Sequence, residues 1–219
     1  EYLLEKNEKI KDNKSVITKS VLSWLLDDTI KTLAIHSTYD TGKTSLVKKL
    51  LTEFKFKKVL FLTYRQTLAH EFKGVFKDHG VVSYLDSFFY ANKVICQYDS
   101  LHKLFVNNTM ESSVTVPEYD LVVLDELEGI LNHTNACTIK NQDAKFNDLD
   151  DILFNAKKIL SLDGDYSNRS YIFNKHYGGV TVVQNTIKKN KKKFVFMNEL
   201  VDFDKKIDTD LKNNLNICI

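Results

Sequence analysis

Apolar residues in this chain fall in short runs separated by longer stretches with helical spacing. The runs are Thr32–His36, Lys58–Thr63, Gly80–Leu85, Lys93–Gln97, Asp120–Leu124, Lys158–Leu162 and Val180–Val183. Each has the length and apolar density of a buried strand. Between several of them apolar positions recur three and four apart, as in Ser45–Leu51, which predicts amphipathic helices. This alternation predicts an α/β domain with a mainly parallel sheet and helices on both faces. Leu121-Val122-Val123-Leu124 is apolar at every position, as a strand covered on both faces requires. Asn132–Asn147 is polar and weakly patterned, and is expected to be a surface loop. Ile187–Lys193 is a basic run that reads either as a solvated turn or as a phosphate-contacting patch. With one proline, Pro117, and seven glycines, no Pro/Gly-rich linker marks a domain boundary.

At 219 residues and 43% hydrophobic content the chain can bury a substantial core. Its 31 basic and 29 acidic residues leave a net charge of +2, so any nucleic-acid contact must come from local patches. Cys96, Cys137 and Cys218 are odd in number and far apart, and the six histidines show no HExxH spacing. Both facts argue against a structural or catalytic protein-bound metal cluster, and the cysteines suggest a reducing compartment. There is no apolar run of about 18 residues, and Glu1–Lys6 lacks the flanks of a signal peptide. A soluble intracellular protein without a membrane partner is expected. The absence of a first methionine and the apolar Leu215–Ile219, read as a strand severed from the remainder of its domain, suggest a piece of a longer polypeptide.

The densest chemistry lies in Ser37-Thr38-Tyr39-Asp40-Thr41-Gly42-Lys43-Thr44, between the apolar run Thr32–Ile35 and the helical pattern from Ser45. A loop at a helix N-terminus offers backbone N–H groups and the positive dipole end to a phosphate. Lys43 can reach the β- and γ-phosphates of a nucleoside triphosphate, and the Thr44 hydroxyl can bind Mg²⁺. Ser37 stands where the GxxxxGK[ST] pattern has its first glycine, and a Gly-Lys-Thr on a surface loop is the competing reading. Ser37, Tyr39, Asp40, Thr41, Gly42, Lys43 and Thr44 are therefore candidate nucleotide-binding residues.

Asp125 and Glu126 end the apolar run Leu121–Leu124, so both can lie at the carboxyl edge of the sheet beside that loop. Asp125 would share the metal with Thr44, and Glu126 would orient and deprotonate an attacking water. Acids that merely favour a helix N-terminus would give the same letters. Phe61–Glu71 runs from strand into helix, with Thr63 and Arg65 placed to contact nucleic-acid phosphates, or else a capped helix start with a solvated arginine. In Val94–His102, again strand then helix, Gln97, Asp99 and Ser100 are able to cap and to contact a ligand, although an N-cap at Asp99 or Ser100 also accounts for them. Ser161, Asp163 and Asp165 can form an element that senses the γ-phosphate, or a turn around Gly164. Trp24 reads as core or adenine-side packing.

In order, these blocks resemble the motor motifs of superfamily 2 DExD/H helicases. Ser37–Thr44 resembles motif I, Thr63–Glu71 (TYRQTLAHE) motif Ia, Asp125-Glu126-Leu127-Glu128 motif II in a DExE form, and Ser161–Asp165 motif III. More particularly, STYDTGKT, the Cys-Gln-x-x-Ser-Leu block at 96–101, DELEGIL at 125–131 and the Leu-Asp-Gly-Asp-Tyr-Ser-Asn-Arg block at 162–169 are similar to the replication origin-binding proteins of herpesviruses and large DNA viruses. The resemblance spans residues 30 to 185. It implies a RecA-like P-loop domain over residues 1–186, the first helicase motor domain, followed by a linker and the start of a second motor domain over 187–219.

It also implies ATP and Mg²⁺ as cofactors, catalytic Lys43, Asp125 and Glu126, and DNA, single-stranded or forked, held by its backbone through Thr63, Arg65, Gln97 and Ser100. The implied activity is ATP-driven translocation on or unwinding of DNA. Implied partners are the second motor lobe of the same polypeptide and other replication proteins, in the host cytoplasm or nucleus. Motif III reads SLDGD where the superfamily has Ser-Ala-Thr. The chain ends before motifs V and VI and their arginine finger, whose absence implies weak ATP binding and a rate loss on the order of 10³-fold or more. A nucleotide kinase or other P-loop enzyme is disfavoured by having only Arg65 and Arg169. Intact Lys43, Thr44, Asp125 and Glu126 argue against a non-catalytic scaffold for nucleic acid or protein.

Overall fold

The chain is described here by a computed structural model that covers residues 7–10, 19–38, 41–86, 88, 91–108, 113–135, 141–185 and 199–213. In chain order, β1 (Asn7–Ile10) is followed by α1 (Lys19–Leu26), β2 (Ile30–His36), α2 (Lys43–Glu53), β3 (Val59–Thr63), α3 (Gln66–Val75) and β4 (Val82–Ser83). Next come β5 (Lys93–Gln97), a 3₁₀ helix (Tyr98–Leu104) and an antiparallel pair, β6 (Val106–Asn108) and β7 (Ser113–Thr115). β8 (Leu121–Asp125), α4 (Leu127–Thr134), α5 (Gln142–Asn155), β9 (Lys158–Asp163), α6 (Asn168–His176) and β10 (Gly179–Asn185) complete the domain.

Eight strands form one sheet in the order β1-β10-β2-β9-β8-β3-β5-β4, and every pairing in it is parallel. The chain steps outward from β1 through β2 and β3 to β4, then returns through β8 and β9 to β10. Right-handed crossovers place the helices of the outward path, α1 to α3, on one face, and those of the return path, α4 to α6, on the other. Side-chain alternation agrees. Phe61 of β3 packs against Phe72 and Phe76 on the α3 face, and its register partner is Val123. Val123 and Asp125 therefore face α2 and α3, whereas Ser161 and Asp163 of β9, whose neighbours Leu160 and Leu162 pair with Val123 and Asp125, face α4. All five residues of β3 and the first four of β8 are buried, as the uninterrupted apolar runs require.

Two polar ties hold the amino edge of the sheet. The buried Lys158 donates to the carbonyls of Trp24 (2.7 Å), Asp27 (2.8 Å) and Ile30 (3.0 Å). Trp24 is fully buried, with Nε1 donating to Lys31 O at 3.0 Å; it is a core residue. Asp120 accepts the amides of Lys57 (2.7 Å) and Lys58 (3.0 Å) and pairs with the Lys157 ammonium at 2.8 Å.

Some sequence expectations are corrected. The expected loop Asn132–Asn147 is helical at both described ends, since α4 runs to Thr134 and α5 starts at Gln142. The buried residues of α5 are Leu149, Ile152 and Leu153, so its first turns are solvent-facing and carry no apolar period of their own. The run Gly80–Leu85 contributes only the two-residue β4. β1, with the polar sequence Asn-Glu-Lys-Ile, and the β6–β7 pair had no sequence signal. Ile187–Lys193, Phe194–Phe196 and Leu215–Ile219 lie outside the described residues. The chain divides into two compact units, Glu1–Ile187 and Lys188–Ile219. The described element of the second is α7 (Leu200–Lys212).

Candidate functional site

The segment after β2 leads into α2 through Gly42, whose backbone is left-handed (φ 94°, ψ 15°), a conformation that glycine adopts without a Cβ clash. Tyr39 and Asp40 lie outside the described residues. Ser37 is buried, its amide donates to Asp163 O at 2.8 Å, and its hydroxyl meets that of Thr41. Thr41 Oγ1 also donates to Thr38 O at 2.6 Å. The Lys43 ammonium folds back over the loop, donating to Ser37 O at 2.6 Å and Thr38 O at 3.2 Å. Burial lowers its pKa, and the carboxylates of Asp125, Asp163, Glu126 and Asp165 pull in the opposite direction.

Facing this loop is an open cleft of about 570 Å³, lined by Thr41–Ser45 on one side, Asp125 and Glu126 on another, and Leu68, Glu71 and Phe72 of α3. Burial, with the nearby Glu126, Asp163 and Glu71, pushes Asp125 up to about 7 against the pull of Lys43. Glu126 precedes α4 in left-handed backbone (φ 55°, ψ 62°), with its amide donating to Leu162 O at 2.8 Å. The sequence alone assigns no role to Glu71. Its position in the second turn of α3 is visible only once that helix is laid along the cleft.

Asp163 links the loop to α4. Its carbonyl takes the Ser37 amide, while its buried carboxylate accepts the amides of Glu128 (2.6 Å) and Asp165 (2.7 Å). Burial raises its pKa, and those two amides hold it down. Gly164 sits against Ser37 O and Thr38 Cα. Asp165 is exposed, and Ser161 is fully buried inside β9. Glu128 anchors α4 to α6: its carboxylate accepts the hydroxyls of Ser167 and Ser170 and pairs with Arg169, which also reaches Asn132 Oδ1 at 2.8 Å. In the sequence, Glu128 and Arg169 are motif letters without a role. Their contact crosses forty residues of sequence and has no local signature.

The four residues read as nucleic-acid contacts cluster at the same carboxyl edge, where Thr63 and Gln97 are register partners. Thr63 is buried, its hydroxyl donating to Arg65 O at 3.2 Å. Arg65 is exposed, its guanidinium 4.8 Å from the Tyr64 ring centre. Gln97 accepts from Tyr84 at 2.9 Å and donates to Asp99 at 3.3 Å. Ser100 is partly buried and hydrogen-bonds Tyr84. Burial pushes the Cys96 thiol up to about 12, which makes it a poor nucleophile. Among the described residues no group of three or more His, Cys, Asp or Glu is arranged to hold a metal, and no helix is long and apolar enough to cross a membrane.

No family model matches the chain. It is 34% identical, over its whole length, to a protein of Acanthamoeba polyphaga mimivirus named "Putative replication origin-binding protein". Over 95% of its length it is 35% identical to a second mimivirus protein, named "Uncharacterized putative helicase". The chain spans 29% and 21% of those two relatives. Among solved structures, it is similar to a hypothetical ATP-dependent RNA helicase from Sulfolobus tokodaii (TM-score 0.55, 14% identity, 80% of this chain and 53% of that one). It is also similar to a DEAD box protein from the hyperthermophile Methanococcus jannaschii (TM-score 0.52, 17% identity, 87% of this chain and 55% of that one). The chain has the RecA-like fold of these two helicase structures and is homologous to a part of each of the two viral proteins. The fold expected from the sequence is the one observed, and the similarity to the two mimivirus proteins extends over 100% and 95% of the chain.

Proposed function

We propose that this helicase-type domain is the ATP-binding first motor lobe of a viral DNA-replication helicase, hydrolysing ATP to drive translocation on or unwinding of DNA. The observation that carries the reading is the cleft in which Thr41–Ser45 face Asp125 and Glu126. The triphosphate lies against the N-terminus of α2, and the Lys43 ammonium exchanges Ser37 O and Thr38 O for phosphate oxygens. The donor set fits a magnesium nucleotide. Thr44 offers a hydroxyl and Asp125 a carboxylate, and Mg²⁺ ordinarily takes its other ligands from phosphates and water. Burial and the neighbouring acids, which together raise Asp125, make the environment a divalent cation relieves. Bound there, Mg²⁺ supplies charge neutralisation at the transferring phosphoryl group. Glu126 orients the attacking water and accepts its proton. Asp163, bonded to Ser37 through its backbone and to α4 through its carboxylate, carries changes at the phosphate loop to Glu126 and Glu128.

Arg65, with Thr63, Gln97 and Ser100 behind it, forms the DNA face, contacting phosphates without reading sequence. Residues 1–186 act as the first lobe and 187–219 lead to a second lobe that completes the ATP site. Calorimetric titration of Mg·ATP, with and without single-stranded DNA, tests the reading. Lys43→Ala is expected to bind about 10- to 100-fold more weakly, the worth of charge-assisted phosphate bonds. Glu126→Gln is expected to keep binding and lose turnover. Wild-type affinity in Lys43→Ala would overturn the phosphate-loop assignment.

A further inference from the structure

Tyr64 follows β3 at the carboxyl edge, and strand alternation turns it away from Phe61 and α3 towards α4. There its ring lies directly on helix backbone: a Cβ built on Gly129 would stand 2.5 Å from Tyr64 Cε1 and 2.9 Å from Cδ1 and Cζ. No side chain fits between them, which gives the glycine of DELEG a physical reason. One turn further along α4, the His133 ring lies 6.3 Å from the Tyr64 ring. The same residue also meets the outer surface, because the exposed Arg65 guanidinium sits 4.8 Å above its ring.

Polar contacts close a circuit around this stack. Tyr64 O accepts from Gln97 Nε2 at 3.4 Å, Gln97 donates to Asp99, and Asp99 takes His133 Nε2 at 2.9 Å and Lys145 Nζ at 3.1 Å. Two residues of the DNA face, Arg65 and Gln97, are thus joined to a helix whose first residues follow Asp125 and Glu126 directly.

We propose that Tyr64, bearing on Gly129, is a positioning residue that couples a nucleic-acid strand at Arg65 to the nucleotide cleft. The inference rests on the motor-lobe reading above. A phosphate engaging Arg65 draws the guanidinium from the Tyr64 ring, the ring shifts on Gly129, and α4 shifts with it, carrying Glu126 and Glu128. The coupling is mutual, so nucleotide in the cleft alters affinity for the strand by the same factor.

The test measures the dissociation constant of Mg·ATP with and without a 20-nucleotide oligo-dT, and that of oligo-dT with and without Mg·ATP. The proteins are wild type, Gly129→Ala, Tyr64→Leu and the double variant, each with its melting temperature. In wild type each ligand is expected to change the other's affinity about fivefold or more, within the usual range of coupling factors. In each single variant the ligands alone are expected to bind within about twofold of wild type while the coupling factor falls to about 1. The double variant, in which the added Cβ no longer meets an aromatic ring, is expected to regain melting temperature lost in Gly129→Ala but not the coupling. Coupling that survives in the single variants, or returns in the double variant with stability, would reduce the stack to packing and overturn the proposal. So would a wild type that binds both ligands independently. A wild type that binds no Mg·ATP would overturn the motor-lobe reading as well.

Discussion

Glu126 occupies a backbone conformation (φ 55°, ψ 62°) that opposes its own Cβ. The other described non-glycine residue with positive φ is Asn141, a type that tolerates this region. A glutamate held there costs about 1–2 kcal/mol in strain, so Glu126→Gly is expected to stabilise the fold by about 1 kcal/mol, net of the freedom glycine loses on folding. In a domain of this size that raises the melting temperature by about 2–4 °C. Scanning calorimetry checks this, and the same variant is expected to hydrolyse no ATP. The carboxylate is thus kept at a position where stability alone would favour glycine. At this scale the sequence was legible as letters. Lys43, Asp125 and Glu126 could be picked out by spacing, but the roles of Glu71, Glu128 and Gly129 depend on elements brought together from afar.

α1 is eight residues long, too short to hold its shape alone, and is fixed by Trp24 beneath it and Lys158 at its end. The Lys158 ammonium sits on carbonyls of the last turn and the chain just after it, where a cation is favoured by the helix dipole. Lys158→Met fills similar volume but takes the ammonium from three carbonyls, of which Asp27 O keeps the Ile30 amide, so a loss of about 1–3 kcal/mol is expected in urea denaturation. Lys31→Met, which removes one exposed bond to Phe154 O, is expected to cost less than about 1 kcal/mol. The strands were legible because each carries an unbroken apolar run. β1 was not, since an edge strand paired on one side needs no apolar sequence, and the solvent-facing first turns of α5 were lost for a related reason.

Across the whole domain, candidate chemistry occupies the carboxyl edge of the sheet, whereas Asp120 and Lys158 tie its amino edge. Burial raises the Asp120 pKa, but bonds from Lys157 and the amides of Lys58 and Lys57 outweigh it and hold the carboxyl below its ordinary value. Its folded pKa therefore lies below the unfolded one. The stabilisation is full above the unfolded value of about 3.9 and disappears as pH falls through the folded value. Asp120→Asn is expected to be less stable than wild type at pH 7 and to converge on it as pH falls below the unfolded value of about 3.9, as read from melting temperature against pH.

The strand order carries a consequence for how the protein is made. β1 pairs with β10, matching Asn7 to Val182, and β2 lies between β10 and β9. On a ribosome the strand nearest the amino end emerges early but finds its partner only after the rest of the sheet has been synthesised. β3, β5 and β8 can pair beforehand, while the segment ahead of them waits with its backbone unpaired. Residues translated near the start of the domain are thus among the last to be placed, and any shortened version that stops before Val182 leaves β1 without its register partners.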